Sequence, residues 1–552
     1  MNLLIVVPRF SNKGGYYFFP FGLAYLSSYL KLKGFHVFCL NLCHYEEKYP
    51  TITLLKDAIS ENKIEAVLTG GMSGNWDIIE DVISTTKKIN SKIFTILGGA
   101  IVTSDPVLAM ENMKIDYGVF GEGEITIAEL MSALSNNKEV KNIDGIIYRK
   151  NGQLVRNKER APILNLDLLP FPDYESFGYG EWLKMVQYSE VNPFLENFDD
   201  IRCATIIGSR SCPYSCTFCY HPLGKIYRQR SLDNIFLEID YLVKKYKVNF
   251  ISFSDELFSA NTERINQFAD RIKKYNLYWD AVFRVNNITR ELVKKLKESN
   301  LVCMGYGVES LSDKILKSMK KMITRNDIEN AFKITSEAGI LAVGIIILGD
   351  PEETVETINE SINWWKAHPQ YSIGVKFIKA IPDSADYQYA LKNSIITDKL
   401  KHIRHNFPIV NLTKIPDKKF FKLVKKITKC ARSSRYTVAG TLINSQKLNE
   451  KYQNCNFYYL DLECPFCHKI EKYKKIVRAI NIYSTFTCKN CRLIFKIKQK
   501  KAFYDDYSYI KIFLNKYSMK IYNFMIRNKI LNINNKLTVI LKNTFKTIVK
   551  SN

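Results

Sequence analysis

The chain has 552 residues, 46% of them hydrophobic, which is enough for about three domains of ~150 residues each. No apolar run reaches the ~18 residues of a transmembrane helix, and the short run in MNLLIVVPRF predicts a strand rather than a signal peptide, so we expect a cytoplasmic protein. The net charge of +25 comes from residues 401–552, which hold 33 basic and only 7 acidic side chains. This region would attract a polyanion or the anionic inner face of a membrane, although a solvated basic surface is the simpler interpretation.

Residues 1–145 alternate between apolar runs typical of buried parallel strands and amphipathic segments typical of helices. The apolar runs are LLIVV (3–7), HVFCLNL (36–42), EAVLTG (65–70), KIFTILGG (92–99) and DYGVFG (116–121). They predict a doubly wound, Rossmann-like α/β domain with its ligand site at the carboxyl ends of the strands. An Asn-Gly pair then predicts a hairpin at 144–156, and residues 146–200 are interpreted as hairpin and linker or cap.

The alternation resumes after residue 201 and continues to about 400. Six apolar runs follow, which are CATIIGS (203–209), VNFISFS (248–254), AVFRV (281–285), LVCMGYG (301–307), LAVGIIILG (341–349) and SIGVKFI (372–378). Six βα units are too few for a closed eight-unit barrel, so they predict an open, partial (β/α)6 barrel. Beyond it we expect a basic helical region (401–460), a four-cysteine module (461–495) and a basic amphipathic tail (496–552).

Three of the thirteen cysteines follow the first barrel strand, in GSRSCPYSCTFCYHPLG (208–224). Cys212, Cys216 and Cys219 have the spacing Cys-x3-Cys-x2-Cys. Three thiolates can hold three irons of a four-iron cluster and leave the fourth iron open for a reactant. A zinc site or structural thiols are the alternative. The carboxyl end of a barrel strand, where βα barrels place catalytic residues, favours the cluster.

This loop, with Phe218 before its last cysteine, resembles the signature of radical S-adenosylmethionine (SAM) enzymes. The likeness extends over 201–380, through SFSDELF (252–258), FRVNN (283–287), GYGVES (305–310) and GIIILGDPEET (344–354). The resemblance implies that SAM chelates the open iron and is reductively cleaved to a 5′-deoxyadenosyl radical. It also implies contacts with SAM: Asp255 or Glu256 with the ammonium, Arg284 with the carboxylate, Glu309 with the ribose, and the turn at Gly349 and Pro351 with adenine. Taken singly, each of these residues could instead be an ordinary cap, ion pair or turn.

The first domain resembles the cobalamin-binding module that precedes the barrel in many of these enzymes. The likeness rests on residues 8–30, LGGAIVTSDP (97–106), YGVFGEGEITIAEL (117–130) and six glycines that would admit a flat macrocycle, namely Gly70, Gly71, Gly98, Gly99, Gly121 and Gly123. Each glycine could instead serve only a βα turn. The best-known modules carry a cobalt-ligating His in Asp-x-His-x-x-Gly, whereas this loop places His44 one position off. We expect cobalamin to bind without that ligand; a relic domain is the alternative.

The second cysteine group lies in ECPFCHK (463–469) and TCKNCRL (487–493). Two Cys-x2-Cys knuckles predict a structural zinc ribbon whose four ligands are Cys464, Cys467, Cys488 and Cys491. An auxiliary iron–sulfur cluster is the alternative. We interpret His468 as a bystander.

The resemblances together imply a [4Fe-4S] cluster, SAM, cobalamin and a reducing electron donor. The leading hypothesis is a class B radical SAM methyltransferase that methylates an unactivated carbon of a metabolite or envelope component. Cobalamin-dependent cyclisation or rearrangement is one alternative. RNA modification by a methylthiotransferase-like enzyme is another, although the first domain lacks a three-cysteine set of its own. A non-enzymatic cobalamin sensor or nucleic-acid-binding protein is disfavoured by the intact cysteine triad.

Overall fold

The computed structural model describes residues 1–11, 13, 15–186, 201–434, 438–452, 455–477 and 483–498. Within these ranges no helix is both long and apolar enough to cross a bilayer. The predicted amphipathic tail lies outside the described residues from position 499 onward.

The first domain is built on one sheet. Its strands are Asn2–Val7 (β1), His36–Asn41 (β2), Ala66–Gly70 (β3), Phe94–Gly98 (β4), Tyr117–Val119 (β5), Ile146–Lys150 (β6) and Gln153–Arg156 (β7). They lie in the order β2-β1-β3-β4-β5-β6-β7, and the first five are parallel. The order 2-1-3-4-5 is that of a doubly wound fold, so the predicted fold class is confirmed.

Helices cover both faces of this sheet. They are Phe21–Leu32 (α1), Thr51–Glu61 (α2), Trp76–Ile89 (α3), Ala100–Thr103 (α4), Pro106–Asn112 (α5) and Gly123–Ser135 (α6). Leu3 and Ile5 of β1 belong to the same core as α1 and α6, whereas the intervening Leu4 and Val6 pack with residues of α2 and α3. This alternation explains why β1 reads as an unbroken apolar run.

The hairpin extends the first sheet beyond residue 145. Asn151 and Gly152 both have positive φ angles, as a type I′ turn requires, and β6 pairs antiparallel with β5. Residues 157–186 then run between the two domains and end in the helix Tyr179–Val186 (α7). Trp182 of α7 donates from Nε1 to the Tyr17 carbonyl at 2.8 Å, which ties this cap to the first domain.

The second domain is an open parallel barrel. Its parallel strands are Cys203–Ile206 (β8), Phe250–Phe253 (β11), Tyr278–Phe283 (β12), Leu301–Glu309 (β13), Leu341–Leu348 (β14) and Ser372–Phe377 (β15). Two short strands between β8 and β11 in the chain, Ser209–Arg210 (β9) and Arg228–Gln229 (β10), pair with each other. The parallel strands lie in the order β15-β14-β13-β12-β11-β8, so β8 and β15 remain the two edges. Each predicted apolar run overlaps one parallel strand, and the partial barrel is confirmed.

The barrel helices start mainly at hydroxyl caps such as Ser231, Thr289, Thr324 and Thr354. The helices are Leu232–Tyr246 (α8), Thr262–Ile272 (α9), Arg290–Glu298 (α10), Asp313–Ser318 (α11), Arg325–Glu337 (α12), Val355–Ala367 (α13), Ala385–Lys392 (α14) and Lys399–Arg404 (α15).

One face of the barrel sheet packs under these helices, and the other is open. On the outer face Tyr306 is buried against Phe332 of α12, and Gly344 also faces Phe332. The opposite face carries Val282, Gly305, Gly307, Ile345 and Gly374, which are all partly exposed or exposed. We call this set the inner face.

The C-terminal region is less helical than predicted. A helix spans Asp417–Ser434 (α16), and five strands follow: Thr441–Tyr452 (β16), Cys455–Glu463 (β17), Ile470–Val477 (β18), Tyr483–Thr487 (β19) and Ile494–Lys498 (β20). The predicted helical region 401–460 is therefore helical only as far as Ser434. Beyond it β16 pairs with β17, whose NFYYL run favours a strand.

Candidate active site

A cysteine loop (residues 211–227) leaves the carboxyl end of β8 and returns through β10. The pairing of Arg210 with Arg228 in the β9–β10 ladder closes its base. Thr217 anchors the middle of the loop, because its N–H donates to the Met319 carbonyl at 3.2 Å and its carbonyl accepts from the Asp386 N–H at 3.1 Å. The three cysteines are thus presented on a fixed loop at the catalytic end of the barrel.

The three thiols of this loop have different environments. A hydrogen bond from the Cys219 thiol, together with the charges of Lys321 and Arg284, lowers the pKa of Cys216, whereas burial raises the pKa of Cys212. The three sulfur atoms do not all lie within 4.8 Å of one another, unlike the four sulfur atoms of the C-terminal cysteine module. A four-iron cluster would bind each of the three cysteines through a different iron.

The two acidic residues after β11 have different environments. Asp255 is buried and accepts from the Gly208 N–H at 2.6 Å and from the Ser209 hydroxyl at 2.7 Å. Burial raises its pKa to about 6 despite these bonds. Asp255 therefore fixes the start of the cysteine loop. Glu256 is exposed, with its Oε2 3.4 Å from His221 Nδ1, and is the one of the pair that can reach a ligand.

Arg284 is buried beneath the cysteine loop. Its guanidinium lies 3.5 Å from the ring centre of Tyr214, and its Nη2 donates to the carbonyls of Lys321 and Met322. Nε is buried without a hydrogen-bond partner, which leaves one donor for a bound group. Arg284 thus connects the loop to the segment after β13 while keeping a donor for a ligand.

Glu309 ends β13 in a strained backbone conformation, with φ +61°. Its Oε1 accepts from Lys321 Nζ at 2.8 Å, and both side chains are largely buried. Gly307 makes this ion pair possible, because a Cβ there would lie 2.3 Å from Lys321 Nζ and 2.6 Å from Glu309 Oε1. The carboxylate predicted to face the ribose is therefore held in place by Lys321.

Replacing Gly307 with alanine is expected to weaken SAM binding because the added methyl group displaces the Lys321–Glu309 pair. Loss of one charge-assisted hydrogen bond, worth about 1.5–3 kcal/mol, corresponds to roughly a 10- to 100-fold higher Kd. Equilibrium dialysis of SAM against the reconstituted protein measures this effect. Gly374→Ala is the control, since its nearest contact is an ordinary 3.9 Å from Ile345. Equal affinities for the two variants would contradict this role of the pair.

Two further predicted positions shape the floor of the site. Phe218 is half-buried against the apolar cluster that includes Ile315 and Met319. Gly349, before Pro351, has φ +110° and donates its N–H to Glu353. Burial raises the pKa of Glu353 to about 8. The strained turn is therefore present and is closed by a buried carboxyl group.

The glycines of the first domain fall into two groups. A Cβ at Gly70 would lie 2.6 Å from the Gly98 carbonyl oxygen, and one at Gly99 would lie 3.0 Å from the backbone of Gly71. Gly70 and Gly99 therefore allow the turns after β3 and β4 to pack together, whereas a Cβ at Gly71 would lie 3.2 Å from Ile79 and one at Gly98 would make an ordinary 3.7 Å contact with Val119. Gly121, after β5, has φ +74° with open space where a side chain would point.

Gly123 is the remaining predicted glycine. A Cβ there would lie 3.2 Å from a methyl group of Leu26 in α1, so Gly123 serves helix packing. Only Gly121 therefore leaves open room at the carboxyl edge of the sheet.

His44 does not point into open space. Its Nε2 lies 3.0 Å from the Tyr17 hydroxyl and 3.2 Å from Asn41 Nδ2, and burial lowers its pKa. Gly178 of the cap packs against the ring so closely that a Cβ there would lie 2.3 Å from Cε1. These contacts agree with a cofactor site that has no histidine ligand.

The cysteine loop contacts the strand ends of the first domain directly. The Tyr220 hydroxyl, one residue after Cys219, donates to the Ala100 carbonyl at 3.2 Å. Arg210 pairs with Glu122 at 2.9 Å and with Glu124 at 2.6 Å, and Arg228 pairs with Glu122 at 2.8 Å. All four charged side chains are buried. Burial alone would raise the pKa of Glu122, but the two arginines hold it below its ordinary value.

Comparison with known proteins identifies both domains. Residues 206–364 match the radical SAM superfamily, and residues 11–131 match the B12 binding domain. The chain is 32% identical over 356 residues to an uncharacterized methyltransferase of Pyrococcus horikoshii, which covers 62% of this chain and 73% of that relative. The chain belongs to the B12-binding radical SAM family.

Other proteins are similar to this radical SAM enzyme over more than half of its length. An anaerobic magnesium-protoporphyrin IX monomethyl ester cyclase of Rubrivivax gelatinosus is 26% identical over 380 residues, 65% of each chain. The structure of the radical SAM methyltransferase TsrM from Kitasatospora setae matches with a TM-score of 0.58 and 18% identity over 71% of this chain and 77% of that one. The cobalamin-dependent enzyme OxsB matches with a TM-score of 0.56 and 17% identity over 77% and 61%. At these identities the two structures establish the shared fold.

Family membership implies SAM, a [4Fe-4S] cluster and cobalamin as the groups that this radical SAM enzyme uses. The residues present fit them. The loop offers three thiols and no fourth, and the open space at Gly121 lies at the strand ends that face the loop.

A candidate metal site lies in the C-terminal region of the radical SAM enzyme. The four sulfur atoms of Cys464, Cys467, Cys488 and Cys491 lie within 4.8 Å of one another, and two of the separations are 3.7 Å. A tetrahedron with Zn–S bonds of about 2.3 Å has S···S edges of about 3.8 Å. The geometry therefore fits one tetrahedral ion. His468 is exposed, which agrees with a bystander.

Removing this ion is expected to unfold the ribbon and leave the barrel intact. The site has no open position for a substrate, and the small core around it consists mainly of residues 460–497. Chelation should release about one zinc per chain and remove amide-exchange protection from β17–β20 alone, as measured by mass spectrometry. Cys430→Ser, outside the knuckles, is the control. Release of iron with sulfide from this site would favour the auxiliary cluster.

Several residues of the site were not predicted from sequence. They are Arg210, Arg228, Glu122, Glu124, Tyr214, Tyr220 and Lys321. The paired acids of GEGE and the arginine two positions before Cys212 were visible in the sequence, but their contact spans two domains. Lys321 had no local signal, since it lies 12 residues from its partner Glu309.

Proposed function

We propose that this radical SAM enzyme transfers a methyl group to an unactivated carbon of a small molecule. The observation that carries the proposal is that the cysteine loop is held against the strand ends of the B12-binding domain by buried Arg–Glu pairs and by Tyr220. A cluster on the loop and a macrocycle at the sheet edge would share one cleft. When bound, the cluster would supply an electron to SAM and the cobalamin would carry the methyl group.

We assign the side chains as follows. Cys212, Cys216 and Cys219 hold the cluster, and Lys321 positions Glu309 to accept the ribose hydroxyls. Glu256 takes the ammonium of SAM, because Asp255 is already satisfied by the loop backbone. The free Nε of Arg284 is available to the carboxylate of SAM, and we assign the turn at Gly349 and Pro351 to the adenine of SAM.

The names of relatives support methyl transfer. The Pyrococcus relative and TsrM are both named as methyltransferases. The Rubrivivax relative is a cyclase, which supports cyclisation of a ring as the second candidate. The mass difference between substrate and product distinguishes methyl transfer from cyclisation, because only methyl transfer adds the mass of one carbon and two hydrogens.

The test is anaerobic reconstitution with iron and sulfide, followed by cobalamin, SAM and a chemical reductant. We expect about four irons per chain, bound cobalamin, and 5′-deoxyadenosine. With methyl-labelled SAM, label should pass to the cobalamin fraction. Cobalamin binding without any SAM cleavage would instead favour a sensor.

Binding of a polyanion or of an anionic membrane surface to the basic C-terminal region remains a prediction. Six lysines of α16 are exposed, namely Lys418, Lys419, Lys422, Lys425, Lys426 and Lys429. Its apolar residues Phe420 and Ile427 are buried and the helix packs on β15, whereas the lysines and Phe421, which is 45% exposed, are available to a partner.

A further inference from the structure

The inner face of the barrel exposes apolar side chains in a concave setting. Val282 is 37% exposed and Ile345 is 39% exposed, although each lies in the middle of a sheet whose other face is buried. Strand register places Val282 beside Gly305 and Ile345 beside both Gly307 and Gly374. Apolar groups left open in a concavity are typical of a ligand site.

Glycine contacts confirm that these residues share one face. A Cβ at Gly305 would lie 3.5 Å from a methyl carbon of Val282, and one at Gly374 would lie 3.9 Å from Ile345. Both distances are ordinary van der Waals contacts, so neither glycine is required by crowding. Larger residues would fit the fold but would fill the space above the strands.

The two ends of the inner face are polar. At the upper end lies the Lys321–Glu309 pair beside Gly307. At the lower end Asp280 accepts from the Ser252 hydroxyl at 2.8 Å, and its second oxygen is buried without a hydrogen-bond partner. Burial raises the pKa of Asp280 to about 7. The middle of the face therefore offers contacts mainly to carbon.

We infer that the inner face binds an apolar portion of the substrate, a hydrocarbon chain or an uncharged ring system, between Val282 and Ile345. The inference rests on the proposed function, because it assigns the substrate class of that same site. The absence of side chains at Gly305 and Gly374 gives the ligand its room. A highly charged substrate such as an RNA backbone would leave these apolar groups in contact with charge, which is unfavourable.

The test uses a neutral apolar dye, N-phenyl-1-naphthylamine, titrated into the reconstituted full-length protein. Its lack of charge avoids attraction to the basic region. The variant Val282→Thr with Ile345→Thr keeps the β-branched shape and introduces hydroxyls. The matched control is Val107→Thr with Ile52→Thr, since these residues are 42% and 47% exposed on helices of the first domain.

We expect dye fluorescence to rise in wild type and in the control, and the inner-face variant to bind about tenfold more weakly. Gly305→Leu, which occupies the space itself, should lose binding similarly. Equal dye affinity in inner-face and control variants would overturn the inference. So would a wild type that binds no dye.

The proposed function is measured separately, by 5′-deoxyadenosine formation in wild type without dye. Failure of that assay with dye binding as expected would count against the radical chemistry and not against the apolar site. If the wild type cleaves SAM but the inner-face substitutions do not change dye binding, the result would count against the apolar site and not against the radical chemistry.

Discussion

Replacing Cys216 with alanine is expected to abolish 5′-deoxyadenosine formation. The loop has three thiols for the irons, and the loss of one leaves a second iron without a protein ligand. The hydrogen bond from the Cys219 thiol also lowers the pKa of Cys216, which favours the metal-binding thiolate. Chromatographic assay of the nucleoside, with iron and sulfide analysis of the same sample, measures the effect.

The control for this substitution is Cys39→Ala. Cys39 is half-buried in β2 and contacts Ser27, far along the chain from the loop. This variant should keep wild-type iron content and cleavage. Wild-type nucleoside formation by the Cys216 variant, or a metal content of zinc alone in the wild type, would refute the cluster assignment.

The strand pattern could be predicted because buried parallel strands are continuous apolar runs. Each of the eleven predicted runs coincides with or overlaps a parallel strand of the structure. Helices cover both faces of the first sheet, and the inner face of the second also carries apolar side chains, so both kinds of strand are apolar runs. The grouping of the three cysteines on one loop was also predictable, because they are close in sequence. By contrast, β16 and β17 were missed, since their Lys-, Asn- and Tyr-rich sequences carry little apolar alternation.

The roles of single site residues depend on contacts that sequence does not contain. Asp255 and Glu256 are adjacent and equally acidic, yet one bonds the loop backbone and the other remains open. Of the six predicted glycines, Gly70 and Gly99 prove to allow the packing of two turns, and only Gly121 has no atom near the place of a side chain. Burial and partner choice, which are tertiary properties, decide these assignments.

Breaking the pair between Arg228 and Glu122 is expected to uncouple SAM cleavage from product formation. These side chains join the base of the cysteine loop to the start of α6 in the B12-binding domain, and each is almost fully buried. Arg228→Met leaves a buried carboxylate with one arginine fewer. Removal of one partner of a buried ion pair costs about 3–5 kcal/mol, toward the lower end here because Arg210 remains. Denaturant unfolding measures this loss.

The distinguishing measurement is the ratio of 5′-deoxyadenosine to transferred methyl label. We expect it to rise in Arg228→Met, because the loop is no longer held at a fixed distance from the sheet edge. The matched control is Arg230→Met, since Arg230 pairs with Glu238 within the barrel and is equally buried. That variant should lose at least as much stability, because Glu238 has no second arginine among the ion pairs of the described residues, and it should keep the wild-type ratio. If both variants keep the wild-type ratio, the ion pairs between the domains stabilise the protein without setting its geometry for methyl transfer.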